Sequence, residues 1–165
     1  MQLTERQQKV VDKLNELEIP FDIHFHPPIP TIEEALNYWK EFDSTHCKNL
    51  FFRNHKGNRH YLVIFDCMKQ LAIHELEQRL KQGKLSFASE ARMDKYLGLK
   101  PGSVSPFGLI NDTENHVHLF LDDCLQHAET LSFHPNDCRG TVVIDNAAFM
   151  KYLSIVGNTY EFMDM

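Results

Sequence analysis

The sequence predicts an α/β (α+β) fold, a single domain over residues 1–165 with a mixed, mostly antiparallel sheet flanked by helices. Three observations predict it. Helix-period and strand-period apolar patterns alternate along the chain with no linker, repeat or low-complexity segment between them. A chain of 165 residues with 42% hydrophobic content is long enough to bury one sizeable core. Two β-prone runs, 50–53 and 60–65, are joined by Asn54-His55-Lys56-Gly57-Asn58-Arg59, a glycine-containing hairpin connection, so antiparallel pairs occur among interleaved helices.

Each element has its own signal. Thr4-Glu5-Arg6-Gln7 is a capping box that opens a helix with Val10, Val11, Leu14 and Leu17 on its apolar face. Residues 19–25 read as a short strand. Thr31-Ile32-Glu33-Glu34 is a second capping box, leading into a helix through Ala35, Leu36 and Trp39. Ile73, Leu76 and Leu80 mark a further helix. Ser89 caps the next, which runs through Met93, Tyr96 and Leu97 and stops at Gly98. Residues 117–121, 130–133 and 141–144 read as strands. Asp145 or Asn146 then caps a last helix with Phe149, Leu153 and Ile155. The short acidic tail 160–165 is expected to fray.

Composition narrows the function classes. No apolar run is long enough to cross a bilayer, and the N-terminus carries no signal-peptide pattern, so the expectation is a soluble cytoplasmic protein without membrane contact. A formal charge of −6 argues against a protein that grips DNA or any long nucleic acid electrostatically. A short nucleic-acid end can still meet a local basic patch. The four cysteines, Cys47, Cys67, Cys124 and Cys138, are widely spaced and read as reduced and mostly buried. His24 with His26, and His116 with His118, would share strand faces, but two nitrogens are too few for a structural zinc site, and no metal or other cofactor is expected.

The segment 98–112, Gly-Leu-Lys-Pro-Gly-Ser-Val-Ser-Pro-Phe-Gly-Leu-Ile-Asn-Asp, carries three glycines and two prolines. It is poor helix and poor strand, suited to a stiff backbone wall against which a small ligand sits closely. Lys48 precedes the β-prone run at 50–53, where a cation can reach into a cleft. A lone lysine there ordinarily faces solvent.

His-Cys-Lys-Asn-Leu-Phe-Phe at 46–52, Leu-Ser-Phe-Ala-Ser at 85–89, the 97–112 run and Phe-His-Pro-Asn at 133–136 together resemble the YbaK/ProX family. His26-Pro27-Pro28 and Thr31-Ile32-Glu33-Glu34-Ala35 fit the same pattern, so the resemblance runs from about residue 25 to the final helix. These are free-standing or inserted editing domains that deacylate mischarged prolyl-tRNA. The Pro-Gly-Ser-Val-Ser-Pro core resembles the free-standing alanyl-tRNA(Pro) branch. The resemblance implies a YbaK/ProX-like fold, an aminoacyl-tRNA acceptor end as partner, and association with prolyl-tRNA synthetase.

It also implies site residues. Lys48 matches the family's lysine, which holds the acyl carbonyl or terminal adenosine and can stabilise an oxyanion; Asn49 is a second polar contact. Gly102, Ser103, Val104, Ser105 and Pro106 match the Gly-x-x-x-Pro loop whose amides face the aminoacyl group. His134 lies beside the pocket as a catalytic candidate, orienting substrate or loop. In this family the substrate's own ribose hydroxyl helps activate water, so no nucleophile need be visible. The chain departs from the family at Asp137-Cys138-Arg139-Gly140, which bears on the pocket rim; no base is paired with Cys138, so it reads as structural. Lys48, Arg53, Lys56, Arg59, Arg92, Lys95 and Lys100 are the cations available to RNA phosphates.

The implied activity has a physical rationale. Binding energy that separates small apolar groups is only about 1–3 kcal/mol, so a proline-activating enzyme cannot strongly reject alanine. A second, smaller site corrects the error. Two other readings are a deacylase for cysteine or serine, and a non-catalytic module that binds a tRNA end or small molecule.

Overall fold

A computed structural model of the chain describes residues 3–27 and 44–165. The helix expected from Thr31 lies outside the described residues. Helix α1 (Glu5–Glu16) opens with the expected capping box: Thr4 Oγ1 accepts from the Gln7 N–H at 3.2 Å, and Gln7 Oε1 accepts from the Thr4 N–H at 2.9 Å. Then follow β1 (Asp22–Phe25), β2 (Thr45–Arg53), β3 (His60–Asp66), α2 (Ile73–Leu80), β4 (Ser86–Phe87) and α3 (Glu90–Leu97). After a 3-10 helix at Pro106–Asn111 come β5 (His118–Asp122), a second 3-10 turn, β6 (Thr130–Phe133), β7 (Gly140–Asp145), α4 (Asn146–Val156) and β8 (Tyr160–Met163).

The strands form one mixed sheet in the order β1-β7-β6-β2-β3-β5-β8, with β4 paired to β2. Pairs β1·β7, β6·β7, β2·β3 and β2·β4 are antiparallel; β2·β6, β3·β5 and β5·β8 are parallel. Strand alternation divides the core between the two faces. Phe51, Leu62, Ile64, Leu119, Leu131, Phe133 and Val142 pack with Val10 and Leu14 of α1, Leu97 of α3 and Phe149 and Tyr152 of α4. Phe52, Tyr61, Val63, Phe65 and Phe120 face the other way, against Leu76 of α2. β3, central in the sheet, is buried from His60 to Phe65, as expected of a strand covered on both faces.

Three expectations need correction. β2 begins at Thr45, so Lys48 lies inside the strand, where the ladder with β3 overrides the weak β-propensity of Lys and Asn. The tail does not fray over Tyr160–Met163, which pairs with β5 from Leu119↔Tyr160 to Asp122↔Met163. Its approach is fixed by Asn158, 3% exposed, whose Nδ2 donates to Asp112 Oδ2 and to the Val117 carbonyl, both at 2.8 Å. Asp145 occupies the cap position of α4 without a side-chain cap bond; Asn146 Nδ2 donates instead to the Leu125 and Ala128 carbonyls at 2.7 and 2.8 Å.

At the hairpin end, His60 lies between an arginine and a second histidine. Arg92 Nη1 is 3.0 Å from His60 Nε2, and because arginine only donates, that nitrogen accepts. The proton therefore sits on Nδ1, which donates to His116 Nε2 at 2.8 Å. Burial first, then His116 and Arg92, hold the His60 pKa down at about 4.

Two predictions follow from these anchors. Asn158→Ala removes two buried hydrogen bonds, one to a carboxylate, and should cost about 2–4 kcal/mol by urea denaturation. The unfolded chain protonates His60 near pH 6.5 and the folded chain only near 4, so protons favour unfolding between these values. Stability should fall as pH drops through that window, with a shallower fall in His60→Gln.

Candidate active site

One edge of β2 is shared by two partners and left open between them. At its start it pairs in parallel with β6, Thr45↔Leu131 and His46↔Ser132. At its end it pairs with β4, Phe52↔Phe87 and Arg53↔Ser86, and the Phe51 carbonyl accepts from the Ala88 N–H at 2.9 Å. Main-chain groups of a strand point alternately to its two edges, so Asn49, two residues before Phe51, turns its N–H and C=O into the same opening. Among the described residues they have no partner there. The Asn49 side chain lies in the opening as well: Nδ2 donates to the Cys47 carbonyl at 3.4 Å, and Oδ1 is buried with no hydrogen-bond partner.

Lys48 is exposed and stands opposite Phe65, on the face of β2 that also carries Leu50 and Phe52. His134 reaches the same end of the sheet by register. Lys48 lies two residues beyond His46 and His134 two residues beyond Ser132, the last parallel pair, so both leave the shared ladder in step. No thiolate accompanies them: burial raises the pKa of Cys47, with Asp66 adding to it, and burial likewise raises that of Cys67.

The turn between β6 and β7 is bound to the glycine-proline loop. Ser103 Oγ accepts from the Cys138 N–H at 3.1 Å, and Asn136 Nδ2 donates to the Phe107 carbonyl at 3.2 Å. Asn136 is 2% exposed and left-handed at φ 60°, a conformation asparagine tolerates. Arg139, expected at the pocket rim, grips Asp137 through Nε at 2.8 Å and Nη2 at 2.7 Å, and this pairing lowers the Asp137 pKa.

The loop is not structureless throughout. Its second half winds into the 3-10 helix at Pro106–Asn111, started by Pro106 and capped by Ser105 Oγ, which accepts from the Phe107 N–H at 3.1 Å. Gly108 is needed there because a Cβ would sit 2.8 Å from Leu99 Cδ1. Ser105 and Pro106 are buried and hold the loop, the Pro106 carbonyl accepting from Tyr152 Oη at 2.8 Å. Val104 packs on the core, while Gly102 is exposed, at φ +86° with open space where a Cβ would be. Backbone conformation, rather than a close protein contact, is therefore what Gly102 answers.

Carbonyl partners fix a proton on Nδ1 of the two histidines near this turn. His134 Nδ1 donates to the Gly140 carbonyl at 3.0 Å, and burial lowers its pKa. His26 Nδ1 donates to the Pro27 carbonyl at 2.9 Å and its Nε2 lies 2.8 Å from Thr141 Oγ1, with its ring 6.5 Å from that of His134. His26 and Asn136 were visible in the sequence only as members of the His-Pro-Pro and His-Pro-Asn runs. Of the cations offered to RNA, Arg92 is engaged within the fold, donating to the Gly57 carbonyl at 2.8 Å as well as meeting His60. Lys95 sits over the Tyr96 ring, 5.1 Å from its centroid.

The architecture is that of a known class of domain. A solved structure described as a candidate trans-editing enzyme for prolyl tRNA synthetase superposes with a TM-score of 0.74 over 99% of each chain, at 19% identity. The hypothetical protein APE2540 superposes at 0.72 over 92% of this chain and 96% of its own, with 16% identity. The model of the aminoacyl-tRNA editing domain matches residues 26–152, and the chain belongs to that family. Prolyl-tRNA editing protein ProX of Acetoanaerobium sticklandii is 39% identical over 96% of both chains. The prolyl-tRNA synthetase associated domain-containing protein 1 of Mus musculus is 26% identical over 94% of both. Among the described residues no helix is long and apolar enough to cross a membrane.

The glycine at 102 yields a prediction. Gly102→Ala has room for its methyl group but must hold a left-handed backbone, so it should cost about 1–2 kcal/mol in chemical denaturation while leaving the circular dichroism spectrum unchanged.

Proposed function

We propose that the chain is an aminoacyl-tRNA deacylase that edits mischarged tRNA(Pro) in trans, with alanyl-tRNA(Pro) as its substrate. The observation that carries this reading is the edge of β2 between β6 and β4, where exposed Lys48 adjoins Asn49, whose buried Oδ1 has no hydrogen-bond partner among the described residues. Membership of the aminoacyl-tRNA editing family and the likeness to the Acetoanaerobium sticklandii editing protein support it.

The reaction is water attack on the ester carbonyl that joins the amino acid to the terminal ribose. The tetrahedral intermediate carries an oxyanion, which the Lys48 ammonium and the Asn49 N–H stabilise. The C–O bond to the ribose then breaks, the ribose oxygen takes a proton, and free amino acid and uncharged tRNA leave. His134, neutral and with its Nδ1 proton committed to Gly140, orients the turn and the substrate. The Gly102–Pro106 loop limits pocket size, so that alanine enters and proline does not; this second sieve supplies what the 1–3 kcal/mol available at a first site, in round terms about, cannot. Substrate comes from prolyl-tRNA synthetase, whose name the murine relative also bears, in the cytoplasm.

Purified protein incubated with tRNA(Pro) charged in turn with alanine, cysteine, serine and proline tests the reading. Alanine should be released fastest and proline spared; preferential release of cysteine or serine would reassign the substrate, and release of none would refute the activity. Lys48→Ala should slow deacylation about 10²- to 10³-fold while the protein remains folded, as for loss of one oxyanion donor.

A further inference from the structure

Phe87 is out of place for an apolar ring. It is 62% exposed, yet it is held rigidly, stacked on buried Phe52 at 4.8 Å between centroids with planes 24° apart. The order follows from the ladder. Phe51 bonds with Ala88, so Phe52↔Phe87 is the neighbouring non-hydrogen-bonded pair, in which facing side chains stand closest. One ring face is covered by Phe52 and the outer surface is open.

Its position relates it to the candidate active site. Directly paired residues project to the same side of a sheet, so Phe87 shares the face of Phe52. Lys48, four residues earlier in β2, projects to that face too. At about 3.3 Å per residue, Lys48 and the Phe52–Phe87 stack are about 13 Å apart along one strand, on either side of the opening at Asn49. Arg53, paired with Ser86, projects to the other face of the sheet, and its Nη1 donates to the Asn54 and His55 carbonyls at 3.3 Å, so on the Phe87 face of β2 the cation is Lys48.

An open aromatic face on the same side of a strand as an exposed lysine suits single-stranded nucleic acid, because every base offers a π-face and every linkage a phosphate. From Lys48 the span matches a few nucleotides, each advancing at least about 3.4 Å when stacked. We propose that Phe87 is a stacking platform for a base of the unpaired RNA end that precedes the terminal adenosine, on the same strand face as Lys48. This rests on the editing reading above and adds to it a contact remote from the ester. The ring holds the strand in sequence-tolerant fashion while Lys48 engages the acyl end.

A short RNA ending in CCA, with 2-aminopurine in place of either cytosine, tests the platform directly. The parent protein should quench the fluorescence of at least one of the two probes. Phe87→Ala should abolish that quenching and weaken binding about 5- to 100-fold, the range expected for one base–aromatic stack. Phe87→Trp should restore both. In deacylation, Phe87→Ala should lower kcat/KM for charged tRNA by a similar factor, the loss being confined to substrates that carry the preceding nucleotides and absent for 3′-alanyl-adenosine. Equal quenching by parent and Phe87→Ala would overturn the proposal, as would an equal loss on both substrates. Gel filtration that shows a parent dimer and a Phe87→Ala monomer would reassign the ring to contact between copies and also overturn it. Quenching by a parent that deacylates no charged tRNA would refute the editing activity while upholding the platform.

Discussion

The site depends on an interrupted ladder. Strand β2 is held along one edge by β3 from Cys47 to Arg53, while its other edge is divided between β6 and β4. A continuous neighbour would satisfy the Asn49 main chain and close the sheet. Because β6 departs after two paired residues, the strand keeps the rigidity of a central ladder while its Asn49 main chain pairs with neither β6 nor β4. Unsatisfied backbone groups within a fold are costly, so an opening of this kind is more informative than an exposed polar side chain.

Rigidity around the opening comes from bonds across long sequence distances. Ser103 to Cys138, Asn136 to Phe107 and Tyr152 to Pro106 tie the glycine-proline loop to the β6–β7 turn and to the last helix. The aromatic packing of Phe107 against Phe133 and Tyr152, with centroids 5.9 and 5.3 Å apart, fills the space beneath it. The loop is therefore held in one shape by the turn, the last helix and the core beneath it. Lys48 is the positive charge within β2 nearest the opening.

Much of the fold was legible because its signals are local. The Thr4–Gln7 box, the Ser89 cap and the hairpin at 54–59 involve residues within a few positions of one another, and each forms as the sequence implies. The tail and the start of β2 were misread for the opposite reason. Tyr160–Met163 becomes a strand because β5 offers it an edge and Asn158 anchors its approach, and neither condition is visible in six acidic and apolar residues. The 3-10 helix within the glycine-proline run is likewise anchored from far along the chain, by Tyr152, 46 positions away, whose hydroxyl donates to the Pro106 carbonyl.

By itself the sequence determined the helix caps, the alternation that assigns side chains to one face or the other, and the residue types able to meet an acyl ester. Tertiary structure decided which of them share a place. Lys48 and His134 each lie two residues beyond the last parallel pair because that pairing sets their register, and Asn49 falls between ladders because β6 and β4 pair only with the two ends of β2. Local propensity acts over one or two turns of chain, whereas strand register is a property of segments nearly ninety residues apart and is fixed only when the two faces of the sheet bury their cores.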